Sequence, residues 1–393
     1  MIRAAAYLLA VGLVSLPAGA QEPAVPAELH VPTGFSILTI AHVPGARELV
    51  AVPNGDLVAG TKDADLALIR HAEDAAPSEP ETLAHLPEAP AAGIAFSAMH
   101  REIYAATEYG IYALHYVPGA ANASAPHEIA RVRTGPVAPN SDGDVHITTS
   151  LAFDDATNTL YAAVGSSCNA CVEADPTRAS IFAMRADGSQ MHKIATRIRN
   201  AVALAIDPET HALWAGDAGQ DDLPFGHPYE FLDAVTIHRA VADYGWPECE
   251  ENRHAYAAGA RCASTVEPLV EVPAYSTFIG AAFYPSRETG AFAFSQRYRG
   301  GIFAAVHGSW HRATGGSFAA QPQVIFVAMS GGRPARAVDW NDPSRQWQTF
   351  VGGFQIGGSQ RVGRPTGIAI GPKGSLFVAD DSAGVIYRIR PAR

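Results

Sequence analysis

The chain has 393 residues, 48% hydrophobic and 17% charged, which supplies apolar material for one large core or two ordinary ones and excludes a disordered protein. Its formal net charge of −11 is spread thinly rather than gathered into a tail, so electrostatics gives no reason to expect nucleic acid or an anionic membrane as a partner.

In chain order, Arg3 comes first, then an apolar stretch from Ala4 to about Leu16, then Ala18-Gly19-Ala20 ahead of Gln21. This is the pattern of a secretory signal with a small-residue cleavage site; it predicts export and removal after Ala20, leaving residues 21–393 as one domain in the periplasm or outside the cell. A membrane anchor would need about 20 apolar residues, and this stretch is shorter. No second span follows.

A recurring unit begins at Leu49: an apolar strand, a turn rich in Asp, Asn, Pro and Gly, and a second strand ending in small residues, with Asn54-Gly55 as a hairpin signal. An interruption rich in Pro and acidic residues runs from Ala72 to Glu81. The unit returns as GIAFSAMHREIYAA from Gly93 and SLAFDDATNTLYAA from Ser150, and a C-x-x-C follows at Cys168 and Cys171. A fourth copy, AVALAIDPETHALWAG, starts at Ala201. The segment from Gly219 to Cys262 reads as a long loop, too polar and irregular for a blade strand, and holds Cys249 and Cys262. A looser copy, GAAFYPSRETGAFAF, starts at Gly280, and TGIAIGPKGSLFVAD starts at Thr366.

About six copies of a two-strand unit, spaced to allow four strands each, predict an all-β, six-bladed β-propeller with a long loop after the fourth repeat unit and little helix. In an exported chain four cysteines favour disulfides over metal thiolates, and position pairs Cys168 with Cys171 and Cys249 with Cys262. Covalent haem attachment would need His where Val172 stands, and a redox helix start would need a βαβ context. Blades arranged around a channel bring the entry of each inner strand to one axis. Those positions carry His146, Arg199 with Asn200, and Arg364.

Several segments together resemble the soluble glucose/sorbosone dehydrogenases, quinoproteins that use pyrroloquinoline quinone (PQQ) and calcium. They are His146-Ile147-Thr148-Thr149-Ser150-Leu151-Ala152-Phe153, Val164-Gly165-Ser166-Ser167-Cys168-Asn169, Arg199-Asn200-Ala201-Val202, Tyr244-Gly245-Trp246-Pro247, His307-Gly308-Ser309-Trp310 and Gly363-Arg364-Pro365-Thr366-Gly367. The resemblance runs from about Leu29 to Arg390 and implies oxidation of an aldose or related sugar aldehyde, with electrons passed to an external acceptor. It makes His146 the base that takes the sugar hydroxyl proton. An imidazole suits that role because its ordinary pKa lies near 6.5; a hydrogen-bonded loop histidine is the alternative.

Arg199 and Asn200 match a pair that lies against the cofactor, where a fixed guanidinium would stabilise charge developing on a reduced quinone. Arg364 resembles an arginine that pairs with a cofactor carboxylate. Asp381 resembles an acid beside the cofactor, although Asp380 is its neighbour and could exchange roles with it. The resemblance places calcium on backbone carbonyls of the loop Asp217-Ala218-Gly219-Gln220-Asp221-Asp222, with Gly219 and Gln220 as candidate ligands; a hard cation prefers such oxygens.

The chain departs from the pattern at Ala91 and Ala92, where relatives often have Gln or His, and at Val145, where glucose-active members have Asp. Thr366 replaces a second arginine, and no lysine stands near the His307 segment, where His307 or Arg312 could substitute electrostatically. Two other readings compete: a calcium-dependent lactonase or other hydrolase, which would need several carboxylates converging on one ion, and a non-catalytic propeller that binds protein or glycan.

Overall fold

A computed structural model describes residues 24–135, 146–221, 223, 229–238, 240–249, 253–309 and 320–392. The expected signal sequence, Val145, Asp222, Trp310 and Arg312 therefore lie outside the described residues.

Each repeated unit is the innermost hairpin of one sheet, and the six sheets form the six blades expected. The innermost strands are Ala46–Ala51, Gly93–Ser97, Thr149–Asp154, Ala201–Ile206, Phe278–Phe283 and Pro365–Ile370, each pairing antiparallel with the second strand of its blade. Neighbouring innermost strands pack against one another around a closed ring. The sixth blade is assembled from both ends of the chain. Its outermost strand, Phe35–His42, pairs with Val385–Pro391, with Phe35 opposite Pro391.

The core is divided among the seams between blades. Small residues near the axis let blades approach, and large ones fill the widening outer space, as with Trp214 and Phe283 between the fourth and fifth blades. The seam between the fifth and sixth blades is aromatic: Phe35, Tyr284, Phe294, Tyr298, Phe303 and Phe350 interlock there, with Phe35 edge-on to Phe294 at 4.6 Å. Among the described residues, helix is limited to three short 3-10 turns, Val235–Ile237, Gln296–Tyr298 and Pro343–Gln346. No described helix is long and apolar enough to cross a membrane.

The expected loop from Gly219 to Cys262 is corrected in part. Glu230–Ala234 is the third strand of the fourth blade, and Ala242–Asp243 pairs parallel with His192–Thr196 on the third. Two of the acids that made this stretch look like loop, Glu230 and Asp233, are buried and hydrogen-bonded. Asp233 accepts hydrogen bonds from the Tyr244 hydroxyl at 2.7 Å and the Leu269 amide at 3.2 Å, and His238 Nε2 lies 2.8 Å from it. The Glu230 carboxylate accepts from the Thr277 amide. Both disulfides form as paired from the sequence.

Candidate active site at one mouth of the channel

The innermost strands lead away from one mouth of the central channel and the second strands return to it, so strand starts and strand ends from every blade meet there. His146, Arg199, Asn200 and Arg364 stand just before innermost strands, and Arg47 lies at the start of one. Lys62, Ser166, Asp217, His307 and Asp381 stand at or just past the ends of second strands. Beyond this mouth the channel encloses about 380 Å³, lined by apolar residues such as Leu151, Val202 and Ile279, with Glu48 as its ionisable lining residue.

His146 is held from one side. Its Nδ1 lies 3.0 Å from both the Ser166 carbonyl and the Ser166 hydroxyl, and that hydroxyl donates to Cys168 O at 2.7 Å. With its proton used there, the Ser166 oxygen faces the imidazole as an acceptor, which places the ring proton on Nδ1 and leaves Nε2 as the basic atom. Burial, helped by the Arg199 and Arg178 charges, lowers the His146 pKa to about 3. This departs from the near-ordinary pKa expected from sequence, because enclosure disfavours the imidazolium. Gly165 is required beside it, since a Cβ there would strike the Asn200 side-chain oxygen and come within 2.7 Å of His146 Cβ.

Arg199 is 3% exposed and its fork is fully engaged. It donates to Asn169 O (3.0 Å), Asn169 Oδ1 (2.9 Å), Ala218 O (3.1 Å) and Asp221 Oδ2 (3.1 Å). The guanidinium therefore ties the C-x-x-C turn to the loop that carries Gly219 and Gln220. The Asn200 backbone N–H donates to Asp217 Oδ1 at 2.6 Å. Gly219 and Gln220 border a cavity of about 20 Å³ together with Asp217, Arg199 and Trp246, room for roughly one water-sized occupant. Burial raises the Asp217 carboxyl to about 7 and pushes Glu230 well above its ordinary value.

A second cluster joins the sixth, fifth and first blades. Asp381 accepts from Arg47 at 3.0 Å and pairs with Lys62 at 2.8 Å, while His307 Nε2 lies 2.9 Å from its other oxygen. Burial opposes ionisation of Asp381, but the His307 hydrogen bond and the Arg47 and Lys62 contacts outweigh it and hold the carboxyl well below its usual range. Burial also lowers His307 to about 4. Arg364 donates to His307 O at 3.0 Å and Gly308 O at 2.8 Å. Asp380 and Asp381 have different partners. Asp380 accepts the backbone amides of Arg364, Ser382 and Ala383, so it shapes the turn while Asp381 meets the cations.

Arg47 and Lys62 were missed in the sequence. Lys62 belongs to the first blade, and its side chain is 56% exposed at the mouth. Ser166, Asn169 and Arg178 were also missed as partners of His146 and Arg199, though Ser166 and Asn169 stand in a quoted motif. Among the described residues, the metal-ligating types within reach of one another in groups of three are Cys168, Cys171 and Glu173, and those sulfurs are bonded to each other. The converging carboxylates a calcium hydrolase needs are not found among them.

No protein-family model matches the chain. A curated relative, an uncharacterised protein of Borreliella burgdorferi, is 23% identical over 256 residues, covering 64% of this chain and 62% of its own length, so the match spans under two thirds of that relative. Solved structures match over nearly the whole chain. The holo form of the pyranose dehydrogenase PQQ domain from Coprinopsis cinerea superposes with a TM-score of 0.77 at 17% identity, covering 95% of this chain and 98% of that one. The calcium structure of a Trichoderma reesei carbohydrate-active enzyme gives 0.73 at 18%, covering 93% and 97%. The apo soluble aldose sugar dehydrogenase of Escherichia coli gives 0.63 at 16%, covering 91% and 100%. At these identities the likeness is one of fold, and the fold is that of sugar dehydrogenase PQQ-domain propellers.

Proposed function

We propose that the chain is an exported quinoprotein that oxidises an aldose or related sugar aldehyde with PQQ and calcium, passing electrons to an external acceptor. The observation that carries the reading is the pairing, at one channel mouth, of an imidazole kept neutral with Nε2 as its basic atom and a surplus of cations. Arg47 and Lys62 share the one carboxylate of Asp381, and among the described residues the Arg364 side chain is bonded only to the backbone carbonyls of His307 and Gly308. Such a surplus fits a ligand bearing several carboxylates.

Arg47, Lys62 and Arg364 would hold the cofactor carboxylates, with Asp381 and His307 orienting the cations. The Gly219 and Gln220 backbone and the Asp217 carboxyl border a cavity of ion size, and a calcium ion there would relieve the buried acid. When bound, the quinone supplies the two-electron acceptor for a hydride leaving the sugar carbon. His146 Nε2 takes the sugar hydroxyl proton as that hydroxyl becomes acidic with hydride loss, while Ser166 holds Nδ1 and the ring plane. Arg199 and Asn200 fix the loop wall beside it and add positive potential where negative charge develops.

The test is a titration of the mature protein with PQQ and calcium, followed by dye-linked oxidation of an aldose panel in wild type and His146→Ala. The expected result is cofactor binding in both and turnover in wild type, with His146→Ala slowed about 10²–10⁴-fold. A wild type that binds no quinone, or a His146→Ala variant with unchanged turnover, would refute the reading.

A further inference from the structure

The two disulfides differ in what surrounds them. Cys249 and Cys262 are 3% and 6% exposed, whereas Cys168 and Cys171 are both partly exposed. Cys171 borders a surface cavity of about 270 Å³ with Val172, Arg178, Lys193, Arg197 and Trp246. Val172, the next residue, is 88% exposed. A thiolate can therefore approach the Cys171 sulfur from solvent past three cationic side chains, with Glu173 and Glu248 as the opposing charges on the same wall.

We propose that Cys168–Cys171 is a thiol–disulfide exchange site for a dithiol reductant, and that opening it releases the turn that positions Arg199 and His146. The catalytic consequence rests on the function proposed above. In the exchange, a reductant thiolate attacks Cys171 Sγ, the Cys168–Cys171 bond breaks, and Cys168 leaves as a thiolate that takes up a proton. The second reductant thiol then displaces Cys171 from the mixed disulfide. The protein gains two electrons and two protons, and the reductant becomes a disulfide.

The turn inside the bridge carries the site. Asn169 O accepts from Arg199 Nε and Trp246 Nε1, each at 3.0 Å, and Asn169 Oδ1 accepts from Arg199 Nη2 at 2.9 Å and the Asp221 amide at 2.7 Å. Asn169 Nδ2 donates to Asp221 O at 3.0 Å. Cys168 O accepts the hydrogen bond of the Ser166 hydroxyl, which sets the His146 tautomer. One bridged turn thus holds the side chains of both catalytic candidates and the loop after Gln220. Because the bridge closes a loop of sequence separation 3, against 13 for Cys249–Cys262, it restrains little of the unfolded chain. Reduction is then a local release rather than global unfolding. Asn169 acts as a positioning residue, through Arg199.

The test uses the full mature chain in graded dithiothreitol, quenched by alkylation and mapped by peptide mass. Cys168 and Cys171 are expected to label at about tenfold less reductant than Cys249 and Cys262, with circular dichroism unchanged. Labelling of all four together, or of Cys249 and Cys262 first, overturns the proposal. In a Cys168→Ser/Cys171→Ser variant, the nitrogen NMR signals of His146 and of the Arg199 guanidinium should shift and broaden. Asn169→Ala, with the bridge intact, should move the Arg199 signal and spare His146. Unmoved signals in the serine variant refute the link from bridge to site. None of these readouts needs turnover, so a wild type inactive on sugars would sink the dehydrogenase reading alone. With turnover present, reduction should lower kcat about tenfold and reoxidation restore it.

Discussion

Replacing Glu48 by Gln removes one ionisable group while keeping the size of the side chain and one acceptor oxygen. Glu48 accepts the Ile94 amide at 2.9 Å and is also met by Ser150 and the Leu151 amide, so it spans the innermost strands of the first three blades. Burial raises its pKa from 4.5 to about 8, against the lowering effect of those hydrogen bonds and of Arg47. A carboxyl raised on folding contributes stability that is fully present below pH 4.5 and is lost as pH rises through about 8. The loss is about 1.4 kcal/mol per pH unit, so about 3 kcal/mol between pH 5 and 7.5 as an upper bound. Glu48 faces an open channel, and screening there reduces the expected figure to about 1–3 kcal/mol. Urea unfolding followed by tryptophan fluorescence should therefore find Glu48→Gln gaining on wild type by that amount as pH rises across this range. Parallel stability profiles would show that the carboxyl is solvated and the burial argument wrong.

Asp381→Asn removes the carboxylate charge that Arg47, Lys62 and His307 share and should cost about 2–4 kcal/mol at pH 7. Because the Asp381 pKa is depressed, its contribution is present above about pH 4 and fades as pH falls below that, so denaturation at pH 3 should find a smaller difference. Trp214→Ala empties a fully buried position in the seam between the fourth and fifth blades, and a loss of about 3–5 kcal/mol is expected in the same assay. With His146 lowered to about 3, the base is neutral throughout ordinary pH, and the acid limb of kcat/KM should lie below pH 5. A limb near the ordinary histidine value of about 6.5 would place His146 in solvent or outside the reaction.

The inner hairpins were legible because each is local: period-2 alternation and a short turn within one stretch of about 15 residues. The third strands were harder to read. Glu230–Ala234 looked like loop because its acids are polar, and only the Tyr244, His238 and Thr277 partners make them core. His146, Arg199, Asn200 and Arg364 could be located because each stands within four residues ahead of a recognisable copy. Arg47 lies two residues ahead of where the first copy becomes recognisable, and Lys62 lies just past that copy. Neither has a local mark tying it to Asp381, which is 334 residues from Arg47.

By itself, then, the sequence determined an all-β chain of repeated hairpins, the pairing of its four cysteines, and which residues stand at strand entries. All of these follow from patterns within a few tens of residues. Tertiary structure alone decided that Phe35–His42 closes the last blade, that cations from the first blade meet an acid from the sixth, and that Arg199 is spent on holding two loops together. It also decided that His146 and His307 are held neutral and Glu48 protonated. Desolvation and long-range pairing are properties of the enclosed space, and that space exists only once the ring has closed.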